Sequence, residues 1–172
     1  MVPVAAVTRV VLRRGYGAGM YSTRVTGHVA APRSAVYRAL VDGEAVARWR
    51  VPDGMRSTVH EFDAREGGVF RVSLTYEAAD QAGKSGEHTD TYHGRFLALV
   101  PDERLVEELE FETDDPALRG TMTITTTLTD AGSGTDVVMF HEGIPDVVPA
   151  ADNETGTRMA LSRLAALVEG AH

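Results

Sequence analysis

From Tyr21 onward the apolar positions fall in short runs set apart by Gly, Pro and Asp, and their period changes along the chain. Tyr21–Ala30 is rich in Thr and Val and stops before Pro32, which predicts a strand leading into a proline-initiated helix. Within Pro32–Val41, Val36 with Leu40 and Tyr37 with Val41 lie four apart and make one apolar helical face. Asp42-Gly43 ends that helix, Glu44–Arg48 can form a second short one, and Pro52-Asp53-Gly54 reads as a turn. The middle of the chain then alternates with period two. Strands are expected at Ser57–Asp63, Val69–Glu77, Thr89–Val100, Leu105–Phe111, Thr121–Leu128 and Thr135–Gly143. The polar, small-residue stretch Ala78–His88 is a loop or a long hairpin tip. At the end the period returns to that of a helix over Asp152–Glu169, where Ala160, Leu161, Leu164, Leu167 and Val168 form a stripe.

One strand, two short helices, about six antiparallel strands and a helix of roughly 27 Å together predict an α+β fold. The long helix must cover one face of the sheet. A twisted sheet curled around a single helix leaves a gap at one end, and a ligand would enter there.

The residues that punctuate this pattern resemble a known family. Ala31-Pro32, Val36 to Leu40, Ala47-Arg48-Trp49 and Pro52 to Met55 come first, followed by Glu61 to Gly68 and Gly94. Val100 to Val106, His141-Glu142-Gly143, Gly156 and Leu161 to Ala165 complete the series in order. This series resembles the Hsp90-ATPase-activator-homologue group of the START-like superfamily (SRPBCC, Bet v 1-like, or helix-grip), over Tyr21 to Glu169. The resemblance implies a curved antiparallel sheet of six to seven strands wrapped around the C-terminal helix, with a cavity between them. Two positions depart from the pattern. The family usually has Arg-Trp-Trp where this chain has Arg48-Trp49-Arg50, and Gly-Trp where it has Gly156-Thr157. Each missing Trp would bury some 150–250 Å², so the cavity should differ in volume and polarity from that of relatives.

Alternation picks the residues that would line such a cavity. Phe70, Val72, Leu74 and Tyr76 share one strand face, as do Leu105, Glu107, Leu109 and Phe111. Met122, Ile124, Thr126 and Leu128 do the same, and so do Val137, Met139 and His141. Thr89–Val100 has apolar residues on both faces (Tyr92 and Phe96 on one, Leu97 and Leu99 on the other), so its orientation stays open. Trp49 would close the short-helix end by packing, Tyr76 and Tyr92 could offer phenol donors, and Met122, Met139 and Met159 are soft lining. Leu164 would face the same space from the last helix.

Glu107 stands where alternation asks for an apolar side chain. Pointing inward, it would be a desolvated carboxylate suited to acid–base chemistry; a register slip, a bulge or an edge position would instead leave it in water. His141 could contact a ligand carbonyl, pair with Glu107, or be a core histidine satisfied by backbone. Glu107 and His141 are thus the two catalytic candidates.

Composition removes whole classes of function. The 172 residues contain no Cys, which excludes disulfides, thiol nucleophiles, iron–sulfur clusters and cysteine-bound zinc, and suits a cytoplasmic protein. The histidines show no HxxxH or HExxH spacing, so no metal and no other cofactor is expected. A net charge of −8 without a basic stripe argues against nucleic acid, and no apolar run reaches the length of a membrane span. Gly83-Lys84-Ser85 lacks the upstream Gly of a phosphate loop, which would fall at Ala78. Residues 1–19 carry three Arg and no acid, and are expected to be a disordered extension before a single domain at 20–170. The expected function is to bind a small hydrophobic or amphipathic molecule. The alternatives are stimulation of an Hsp90-type ATPase, as the resemblance suggests, or a cyclase- or dehydratase-like reaction at Glu107 and His141. Oligomeric state is not legible here.

Overall fold

A computed structural model describes residues 19–78 and 88–170. Nearly all of the expected N-terminal extension and most of the Ala78–His88 loop lie outside the described residues. The elements run β1 (Met20–Val29), α1 (Arg33–Leu40), α2 (Gly43–Trp49), β2 (Met55–Phe62), β3 (Val69–Tyr76), β4 (Thr89–Val100), β5 (Arg104–Phe111), β6 (Met122–Ala131), β7 (Gly134–Pro145) and α3 (Ala150–Glu169). A 3-10 turn, Pro116–Leu118, sits between β5 and β6, with the Asp115 carboxylate accepting from the Ala117 amide at 2.9 Å.

The seven strands form one antiparallel sheet in the order β1-β7-β6-β5-β4-β3-β2. From β2 to β7 each strand pairs with the next in sequence, and β1 closes the series against β7. The sheet is wrapped around α3, the curved helix-grip arrangement expected from the sequence. Three register shifts, at Tyr21/Thr23, Val59/Glu61 and Phe96/Ala98, put an extra residue into β7 (opposite β1), β2 and β4. Such bulges bend a strand and increase its twist, which is what a sheet needs to curl over one helix.

The bulge in β4 also settles the strand that carried apolar residues on both faces. Tyr92 and Phe96 point inward before it, Leu97 is the inserted residue and is 42% exposed, and Leu99 packs against the core after it. Phe62, Phe70 and Phe96 meet there with ring centroids 5.1 and 5.4 Å apart.

Local chemistry sets the helices. Pro32 precedes α1 at φ −67°, and the Asp42 carboxylate accepts from the Glu44 amide at 3.0 Å to cap α2. Along α3 the buried residues are Thr157, Leu161, Leu164 and Val168, a stripe with steps of three and four that lies on the sheet. It approaches β1 so closely that a Cβ on Gly27 would come within 3.2 Å of the Leu161 side chain. Among the described residues no helix is long and apolar enough to cross a membrane.

Candidate functional site

Along the N-terminal half of α3 the sheet and helix part and leave a cavity of about 230 Å³. Its floor comes from neighbouring strands. β5 contributes Glu107, Leu109 and Phe111, β6 Met122 and Ile124, β7 Met139 and His141, and β3 and β4 add Leu74 and Tyr92. These are the inward positions of each strand, so alternation alone delivers them to one place. α3 forms the roof with Asn153, Gly156, Thr157 and Ala160, and Asp152 sits at the exposed rim. The rest of the wall is Trp49 and the segment Arg50-Val51-Pro52 that leaves α2.

α2 ends where Arg50 departs from helical geometry, its amide still bonded to the Val46 carbonyl at 2.9 Å. Trp49 is anchored beneath it by donating from Nε1 to the Ala39 carbonyl at 2.9 Å. The arginine side chain therefore turns into the cavity, where its Nη1 donates to Glu107 Oε1 at 2.8 Å. Glu107 is only 4% exposed and lies in register between Phe96 and Ile124. The inward reading of Glu107 is thus the one that holds, and neither a slip nor an edge releases it to water. Burial alone would weaken the Arg50 cation, but the Glu107 carboxylate, the Tyr92 ring and the ion-pair hydrogen bond outweigh it and hold the guanidinium firmly charged. Its carbon also lies 5.4 Å from the centre of the Tyr92 ring, a cation–π contact.

Tyr92 is 5% exposed, and its hydroxyl has no hydrogen-bond partner among the described residues. Burial pushes the phenol up, with Arg50 opposing that shift and Glu107 adding to it, so it stays a neutral donor.

His141 does not pair with Glu107. The two share a row across the sheet, but Ile124 stands between them, one strand spacing from each. The histidine Nδ1 instead faces Asn153 Nδ2 at 3.4 Å. The Asn153 amide is oriented by Thr23, whose hydroxyl donates to Oδ1 at 2.6 Å, so the NH2 group is turned to the ring. Nδ1 is then the acceptor and Nε2 carries the proton. Burial, and then the Arg50 charge, depress the His141 pKa to about 3, so the ring is neutral at any ordinary pH.

Ten of the side chains expected to line a cavity do so together: Trp49, Leu74, Tyr92, Glu107, Leu109, Phe111, Met122, Ile124, Met139 and His141. Five do not. Phe70 and Val72 are on the expected face but fill the aromatic core beside Phe96 and Tyr92. Tyr76 stands opposite Met55 at the end of β3, Met159 is off the inward stripe of α3, and Leu164 is wholly enclosed between helix and sheet. Sequence reasoning missed Asn153, and marked Arg50 and Thr157 only as places where the family pattern's aromatics are missing. The signal was there in part, because an inward carboxylate on an apolar strand calls for a cation, and Arg50 was a visible departure from the family pattern.

Among the described residues no group of three His, Asp or Glu side chains is placed to hold a metal ion. What the arrangement offers is a mainly apolar cup with a few hydrogen-bond donors in its wall.

Comparison with proteins of curated function finds no match. Among solved structures, a protein from Chromobacterium violaceum is 37% identical over 86% of this chain and 96% of its own, with a TM-score of 0.77. One from Rhodobacter sphaeroides is 21% identical over 92% and 97%, with a TM-score of 0.74, and one from Arthrobacter aurescens is 15% identical over 87% and 86%, at 0.73. The last two speak to the fold alone. The sequence pattern of the family described as "Activator of Hsp90 ATPase homolog 1-like protein" matches residues 30–169. With that match spanning most of the chain, the protein belongs to the Activator of Hsp90 ATPase homolog 1-like family, within the START-like superfamily.

Proposed function

We propose that the protein is a cytoplasmic binding module whose cup holds one small, mostly apolar molecule. The observation that carries this reading is the cavity itself, in which the inward residues of five strands, apolar in the main, surround a few placed polar groups. At about 230 Å³ it is near the lower limit of ligand cavities, which run to roughly 300–1,000 Å³, so the guest is compact. Binding is favoured over turnover because Glu107 is engaged as the acceptor of an ion pair, and a general-acid role would have to begin by breaking it.

Gly156 supplies the test. It lines the cavity, and a Cβ there would meet nothing within 4 Å, so a side chain at this position would grow into free space. Native mass spectrometry of protein purified gently from its own host should show an added mass of roughly a few hundred daltons, typical of a cavity-bound ligand. The Gly156→Leu variant should show the bare chain at unchanged or raised thermal stability. A bare mass for both, with no small apolar probe taken up in titration, would sink the reading.

A further inference from the structure

The polar groups in the cup are unequal in kind. Tyr92 has a hydroxyl donor with no acceptor among the described residues, and the Arg50 side chain donates one of its N–H groups to Glu107. His141, its Nδ1 occupied by Asn153, has its proton on Nε2. Three donors thus line a space whose one inner carboxylate is already bound. A guest that suits them brings an oxygen acceptor.

Charge decides which acceptor. Arg50 and Glu107 cancel, His141 is neutral and Asp152 stands at the rim, so the cup is net negative before anything enters. A carboxylate guest would meet Glu107 as a like charge inside a desolvated space, where such repulsion is poorly screened. Resting on the ligand-cup reading, we infer that the site selects uncharged carbonyl compounds, with their oxygen on the Tyr92 hydroxyl and the other Arg50 N–H groups, over carboxylates of the same length.

The test uses the sole tryptophan, Trp49 in the cavity wall, as a fluorescence reporter for titration with 2-octanone and with octanoate at neutral pH. The ketone should bind about tenfold more tightly than the carboxylate, as expected when one buried charge is left unmatched. Tyr92→Phe should lose roughly fivefold in ketone affinity, the worth of one hydrogen bond, with Tm unchanged or raised because an unsatisfied buried hydroxyl is gone. Glu107→Gln should reverse the preference toward octanoate, since Arg50 then faces the guest with its charge uncancelled. Octanoate binding as well as the ketone, or a Tyr92→Phe variant with full ketone affinity, would overturn this inference and leave the cup reading intact. Binding of neither probe would overturn both together.

Discussion

Glu107 and Arg50 are each tolerable inside an apolar cup only because of the other. Removing one partner of a buried pair leaves a desolvated charge and typically costs about 3–5 kcal/mol, whereas replacing both with apolar residues of similar size is often neutral. Glu107→Ala should therefore lower unfolding free energy by about 3 kcal/mol in urea titrations, and Arg50→Met with Glu107→Leu should recover most of it. His141 makes a second prediction. Its pKa rises from about 3 in the fold toward the ordinary value of 6.5 on unfolding. In that window the unfolded chain binds the extra proton, so stability is complete above pH 6.5 and falls as the pH drops toward 3. Melting curves between pH 7.5 and 5 should show the loss, and His141→Asn should flatten it. Alternation put Glu107 and His141 on the apolar faces of their strands, left open whether Glu107 turned inward, and did not give the partners they have. Ion-pair and amide contacts join positions far apart in the chain, and period-two patterns describe only a strand and its faces.

At the level of elements, nearly every strand and helix was legible because each presents a run of consistent period bounded by Gly, Pro or Asp. The 3-10 turn Pro116–Leu118 is too short to show a period, and only the Asp114-Asp115-Pro116 run marks a turn there. β4 stayed ambiguous for a different reason: the inserted Leu97 reverses which residues face inward, and a sequence read with one fixed parity cannot represent that. Two glycines make opposite predictions. At Gly94 a Cβ would lie 1.9 Å from the Glu108 carbonyl oxygen and 2.8 Å from Phe70 Cζ, so Gly94→Ala must force β4 and β5 apart. It should destabilise by more than about 2 kcal/mol, the cost of overpacking joined to lost strand pairing. Gly156 in α3 has open space on its side, and Gly156→Ala should raise stability by about 0.5–1 kcal/mol through helix propensity. Both are read from denaturant midpoints.

The whole molecule is a meander closed by its first strand. β2 to β7 assemble from neighbours in sequence, while β1 pairs residues more than a hundred positions apart, such as Val25 with Met139. Loop-closure entropy makes that contact the most expensive to form early. Val25→Ala should then speed unfolding and scarcely slow folding, whereas Leu109→Ala in β5 should slow folding as well, as stopped-flow chevrons would show. The order of elements and the resemblance made this architecture readable, since seven strands and one long helix have few compatible arrangements. The cavity was readable only as an expected gap, because its size depends on what the helix lacks at Gly156 and on how far Arg50 reaches.

Arg50 stands where the pattern that the sequence resembles has Trp, and its neutralising partner lies far along the chain on β5. A lineage passing between the two states by single exchanges would cross an intermediate weakened by several kcal/mol, a large share of the 5–15 kcal/mol that holds a domain together. Drift at position 50 is therefore gated by position 107. The chemical taste of the cup would change by jumps between discrete paired states, with few viable intermediates to record the passage.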